Sequence, residues 1–371
     1  MRIESEQTSK AVGSQRRYRR VGVLLVLSAL LASACGGGRF SRDSQAPANG
    51  DNLVDAQVAG VDATSIPLLP GESLVHIDPR YEVTVSTHTY GQGQSHTDWG
   101  SDVDRTVDLV LDLYEPVGAP PGRPALLVIH GGAFVLGSRE SRRLADTISY
   151  FAERGWVVAS VDYRLAGDHG TVPDEWFDAV TSSVPDQGQN LAMALYPAAR
   201  DAKAAARWLH ASAEEYQIDP SRVAALGASA GAYLAVMLGA SAPDDFVGEL
   251  SLDDDPTLAS TNLDSSADVS VIIDNWGGPG HLKILETIDG ESRFDEADAP
   301  ILIVHGTDDR TVPFEEAQDL VSAYQETGAP FAFHPIEGGG HGIWDATVDG
   351  RTLSELSFDF MVEHLDLRVA Q

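Results

Sequence analysis

The chain has 371 residues, 43% hydrophobic and 22% charged, which supplies enough apolar material for one large core, or two modest ones, around a sheet. With 56 acidic and 25 basic residues its formal charge is −31, which disfavours a basic patch for nucleic acid or an anionic lipid surface. The single cysteine, Cys35, excludes an internal disulfide framework and any multi-cysteine metal site.

Taken in chain order, the first element is an address. RRYRR at 16–20 precedes VGVLLVLSALLASAC at 21–35. A basic segment, an apolar run too short for a membrane span, and small residues before a break match a secretory signal. The ending resembles the lipobox of bacterial lipoproteins, with Ala32, Ser33 and Ala34 before Cys35 and Leu31 one place further out than the usual leucine. That resemblance implies a signal peptide over residues 1–34, lipidation of Cys35, and a protein exported and lipid-anchored to the bacterial cell envelope. Residues 35–75 are rich in Gly, Ser, Ala, Asp and Pro without sustained periodicity, and read as a flexible linker. Residues 76–371 are expected to form one catalytic domain.

Strands are predicted at 81–90, 106–116, 124–132, 156–164, 222–229, 269–278, 300–307 and 330–337. The first two alternate apolar and polar residues, as edge strands do, whereas the later ones are nearly continuous apolar runs, as in a buried parallel sheet. Helices are predicted at 141–155, 197–216 (opened by Pro197), 230–240, 313–328 (between Pro313 and Gly328) and 354–366. Strand followed by helix, repeated, predicts a doubly wound α/β sheet of about eight strands whose ligand site lies at the strands' carboxyl ends. Two acidic, turn-rich stretches break the rhythm. Residues 165–195, with Trp176, Phe177 and Met193, and residues 241–268 are candidate lid segments; for the second, plain surface loops fit equally well.

Four motifs fall at strand ends. GASAG (227–231) joins a strand to a helix, the setting of a nucleophile elbow that exposes the hydroxyl of Ser229. HGGAF (130–134) follows an apolar strand and can turn backbone N–H groups toward an oxyanion. HGTDDRTVP (305–313) offers Asp308 or Asp309 as a carboxylate to orient a histidine. GGGHG (338–342) presents His341 on a glycine-rich loop as a general base, whereas His334 lies within a strand pattern and reads as structural. Acidic runs at 244–245 and 253–255 read as solvated surface, and no metal or cofactor is implied.

With HGGAF, VDYRLA (161–166), residues 196–235, HGTDDRTVP and GGGHG, the chain resembles the α/β-hydrolase superfamily. Within it, residues 106–365 are similar to bacterial carboxylesterases of the hormone-sensitive-lipase and feruloyl-esterase-like group. The resemblance implies Ser229 as nucleophile, His341 as base, Asp309 rather than Asp308 as the acid, and the backbone N–H groups of Gly132, Ala133 and Ala230 as oxyanion donors. Ala133 departs from the frequent third glycine, and VDYRLAGDHG lacks the Pro-Glu-His continuation of lipase-like relatives. The expected activity is hydrolysis of a small-molecule carboxylic ester through an acyl-enzyme. Alternatives are an amidase, peptidase or thioesterase with the same triad, or a non-catalytic lipoprotein that binds a partner.

Overall fold

The computed structural model describes residue 69 and residues 71–371; the expected signal peptide, Cys35 and most of the linker lie outside the described residues. Eight strands form the central sheet: β2 (Val83–His96), β3 (Val103–Pro116), β4 (Arg123–Ile129), β5 (Val157–Val161), β6 (Ile218–Ala228), β7 (Val271–Asn275), β8 (Ile301–Gly306) and β9 (Phe331–Ile336). Their order is β2-β3-β5-β4-β6-β7-β8-β9. β3 runs antiparallel to both β2 and β5, and every pairing from β5 through β4 to β9 is parallel.

The apolar runs explain the layering. Along β4, Ala125, Leu127 and Ile129 enter one core while Leu126 and Val128 enter the other, and both sets are fully buried. A strand buried on both faces needs such an uninterrupted run. Helices α1 (Arg142–Ala152) and α7 (Leu353–His364) cover one face through Leu144, Ile148, Phe151, Phe358 and Met361. On the opposite face lie α2 (Asp174–Ser183), α3 (Asp186–Ala211), α4 (Ala230–Ala240), α5 (Gly280–Asp289) and α6 (Phe314–Thr327). Burial of each such Leu, Ile or Phe contributes about 1.5–3 kcal/mol. Caps set the ends: Thr352 and Glu355 form a reciprocal capping box on α7, and α6 runs from Pro313 to Gly328, whose φ of 83° closes it.

Pro197 does not open a helix. It lies inside α3, which begins eleven residues earlier at Asp186. A proline there removes the N–H that would donate to Met193 O. On the same helix Trp176 Nε1 donates to Ala192 O at 3.0 Å and His281 Nε2 to Leu195 O at 3.1 Å. Trp176 is thereby a core residue, packed on Tyr196 and Phe246. The helices α2 and α5 were not anticipated, although Pro279 before α5 and Gly290 after it (φ 88°) are ordinary boundary signals. A short antiparallel pair, β10 (Thr347–Val348) with β11 (Arg351–Thr352), and a short parallel pair, β1 (Leu74–His76) with β12 (Arg368–Ala370), also went unpredicted, and the parallel pair draws Leu74 and Val75 out of the linker into the folded unit.

The chain winds outward in opposite directions from β4 and β6, which are neighbours. The loops after these two strands, HGGAF and GASAG, therefore flank the crevice where such sheets bind ligands.

Candidate active site

Ser229 is the turning point between β6 and α4, with φ 55° and ψ −123°. A left-handed φ at a residue with a side chain is strained, and the surroundings hold it there. Its N–H donates to Asn275 O at 2.9 Å, while the N–H groups of Ala232 and Tyr233 return to Ser229 O at 2.9 and 3.2 Å. The two glycines of the motif are steric requirements, since a Cβ on Gly227 would collide with the backbone of Gly231, and one on Gly231 with the carbonyl of Ile129.

The structure brings Ser229, His341 and Asp309 into one line, with Ser229 Oγ 2.9 Å from His341 Nε2 and His341 Nδ1 2.8 Å from Asp309 Oδ2. Asp309 Oδ1 accepts from the N–H groups of Thr311 at 2.8 Å and Val312 at 3.0 Å. Burial pushes the Asp309 carboxyl up, but His305, whose Nε2 lies 3.5 Å from Oδ2, together with His341 and the Thr311 amide, overcomes it and holds the group well below the usual carboxylate range. An ionised Asp309 only accepts, so the proton of the neutral imidazole sits on Nδ1 and Nε2 is free to accept from the serine hydroxyl. Asp308 is exposed and His334 lies within β9, paired with Val304 of β8, so neither joins this line.

The HGGAF loop is held from beneath. His130 stacks on Tyr163 with centroids 4.3 Å apart, its Nδ1 donates to Gly131 O at 2.8 Å, and Tyr163 Oη donates to His130 O at 2.9 Å. Burial lowers the His130 pKa, which keeps this ring neutral and structural. Beyond it Gly132, Ala133 and Phe134 have φ values of 130°, 52° and 58°, turning successive peptide planes. Among the described residues the N–H groups of Gly132, Ala133 and Ala230 find no protein acceptor. Ala133 tolerates its left-handed backbone at a cost of about 1–2 kcal/mol, so the missing third glycine is no obstacle.

A cavity of about 580 Å³ opens over Ser229 and His341. Its wall includes Gln187, Asn190 and Leu191 at the start of α3, so the end of the 165–195 stretch contributes to it, whereas no residue of 241–268 does. In that second stretch Asp255 is buried and caps a short helical turn by accepting from the Thr257 N–H, a structural role. Sequence reasoning missed Arg143, Trp276 and Trp344 in the cavity wall. Trp276 had a usable signal, since it directly follows β7 at a carboxyl end.

This sheet and strand order define an α/β-hydrolase fold. The chain belongs to the prolyl oligopeptidase family, which matches residues 143–368. Among curated proteins it is similar to Esterase LipC of Mycobacterium tuberculosis (strain ATCC 25618 / H37Rv), 26% identical over 63% of this chain and 57% of that protein. Isoprenylcysteine alpha-carbonyl methylesterase ICME of Arabidopsis thaliana is 24% identical over 59% of this chain and 50% of its own length. The chain thus spans little more than half the length of these relatives. Among solved structures, a thermophilic esterase from the Planctomycetes species Thermogutta terrifontis, Est2 with propionate bound, superposes with a TM-score of 0.51, 25% identity, and coverage of 77% of this chain and 94% of that one. The same esterase phosphorylated by paraoxon gives a TM-score of 0.52 at 24% identity, covering 75% and 94%.

Proposed function

We propose that the protein is a serine hydrolase of carboxylic esters, similar in use to the hormone-sensitive-lipase and feruloyl-esterase-like group. The observation that carries this reading is the unbroken relay from Ser229 Oγ through His341 to Asp309, set beside amides with no protein acceptor. Ser229 Oγ attacks the ester carbonyl carbon as its proton passes to His341 Nε2. The carbonyl oxygen, now an oxyanion, accepts from the N–H groups of Gly132, Ala133 and Ala230, each such donor contributing on the order of 10²–10³ in rate. Collapse of the adduct expels the alcohol, which takes the proton from Nε2. Water then attacks the acyl-serine, gives its proton to Nε2, and releases the acid and free Ser229. Asp309 remains ionised throughout and stabilises the imidazolium.

The names of the relatives support an ester substrate, and the family match favours a second reading, an amide or peptide bond cleaved by the same triad. Esters and anilides of one acyl group separate the two. The expected result is ready hydrolysis of p-nitrophenyl esters, slower hydrolysis of the matching p-nitroanilides, and loss of both, with loss of fluorophosphonate labelling, in Ser229→Ala. Activity of a folded Ser229→Ala variant within tenfold of wild type would remove Ser229 from its role, a loss of about 10⁶ being usual for a triad serine. A folded wild type that takes no fluorophosphonate would favour the binding-protein alternative. For the whole chain we further propose export, cleavage after Ala34 and a lipid on Cys35, with residues 35–75 as the tether.

A further inference from the structure

The cavity wall has an unusual charge distribution. The chain carries 56 acidic side chains, yet none lines this cavity, and apart from His341 its one ionisable lining group is Arg143 near the start of α1. Arg139, Arg164 and Arg293 are each held by carboxylates, whereas among the described residues Arg143 has none. A Cβ placed on Gly342, next to His341, would lie 3.5 Å from Arg143 Nη1 and 3.4 Å from Trp344 Nε1. A guanidinium and an indole edge therefore both border Gly342, next in sequence to the imidazole that faces Ser229. Trp344 Nε1 is shielded from solvent and has no hydrogen-bond partner among the described residues, while its ring packs edge-on against Trp276 at 4.8 Å.

The exposed Arg143 guanidinium is costly to cover with an apolar ligand, because it would lose water without gaining an acceptor. A carboxylate gains charge-assisted hydrogen bonds at the same place, and arginine's planar fork suits it. The first turn of α1 has no acidic residue, so its dipole acts in the same direction. A molecule of charge −31 repels anions at long range, so local positive charge is what an anionic substrate would require.

We infer that the cavity takes esters bearing a carboxylate close to the scissile bond, recognised by Arg143; this rests on the ester-hydrolase reading above. The carboxylate can belong to the acyl half or to the alcohol half. The test uses the full chain and two matched pairs: p-nitrophenyl butyrate with mono-p-nitrophenyl glutarate, and phenyl acetate with 4-carboxyphenyl acetate. In at least one pair Arg143→Gln should lower kcat/KM for the anionic ester at least about tenfold more than for its neutral partner, mainly through KM, while Arg143→Lys retains part of the preference. The pair that responds identifies the half that carries the charge. Equal effects of Arg143→Gln within both pairs would overturn the inference and leave the ester reading standing. If none of the four esters is hydrolysed in a Ser229-dependent manner, the ester reading falls and this one with it.

Discussion

Asp309 owes its ionisation to neighbours rather than to solvent, since its side chain is fully buried and the His341 and backbone donors converge on it. Because its folded pKa lies below the ordinary carboxylate value, its contribution to stability is present above about pH 4 and is lost as the pH falls further. Asp309→Asn should lower kcat on the order of 10⁴-fold, since an amide cannot hold the tautomer the serine needs. Asp308→Asn should leave turnover near wild type, and comparable losses from the two variants would undo the choice of Asp309. Asp274 on β7 is the opposite case. Burial pushes its carboxyl up to about 6, against the charge of His305 and the Gly277 N–H that donates to Oδ1 at 2.7 Å, and Oδ2 has no partner among the described residues. A raised folded pKa favours the protonated form, so stability falls as pH rises from about 4 to about 6, by about 3 kcal/mol. Asp274→Asn, which keeps the Gly277 bond, should raise Tm relative to wild type at pH 8 and have much less effect at pH 4; a pH-independent difference would refute this. Asp309 was legible in the sequence only through the family pattern, because spacing alone left Asp308 as an equal candidate. Asp274 was not legible at all, since an aspartate inside an apolar strand gives no sign of which neighbours it will face.

At the level of elements, the link between β5 and α3 is a buried ion pair. Arg164, just past β5, donates from Nη2 to Asp201 Oδ1 at 2.7 Å, its own N–H reaches Oδ2 at 2.8 Å, and its Nη1 reaches Gln94 O on β2 at 2.9 Å. One guanidinium thus ties the antiparallel edge of the sheet to its longest helix. Asp201→Asn should cost about 3–5 kcal/mol, read as a drop in Tm or in the urea midpoint, because it leaves a buried cation without its counter-charge. Gly231→Ala should be more disruptive still, since the colliding atom is the Ile129 carbonyl, in backbone of β4 that cannot swing aside. Most strands and five of the helices were readable as apolar runs and periodic segments with capping residues. Pro197 misled because proline is commonest in a first turn, whereas here it lies inside α3. The helices α2 and α5 are each ten residues long, too short for periodicity to stand out.

For the whole molecule, the site was legible where chemistry fixes residue type and opaque where only shape matters. Ser229, Asp309 and His341 could be named in advance because each sits in a motif at a strand end. The cavity wall is assembled from residues 131–144, 187–191, 228–229, 276 and 341–344, segments that become neighbours only when the sheet forms, so no local pattern marks Arg143 or Trp344. The proposed lipid on Cys35 is also a property of the entire chain. Metabolic palmitate labelling should mark the wild type and disappear in Cys35→Ala, and label that persists in the variant would remove the anchor.

If the proposed lipid on Cys35 holds the protein by its amino end, the pairing of β1 with β12 takes on a mechanical meaning. A pull on such an anchor would be met first at Gly71 and Ser73, held by Arg222 and Gly122, and then at Leu74–His76, whose strand partner is Arg368–Ala370. Under that anchor, β12 would act as a further clasp on the leash. Clipping residues 368–371 would open that clasp and leave residues 74–76 held by the His76 N–H on Arg154 O and by the Arg222 bonds to Gly71 and Ser73, while Ser229, Asp309 and His341, on β6, β8 and the loop after β9, lie outside the strand pair.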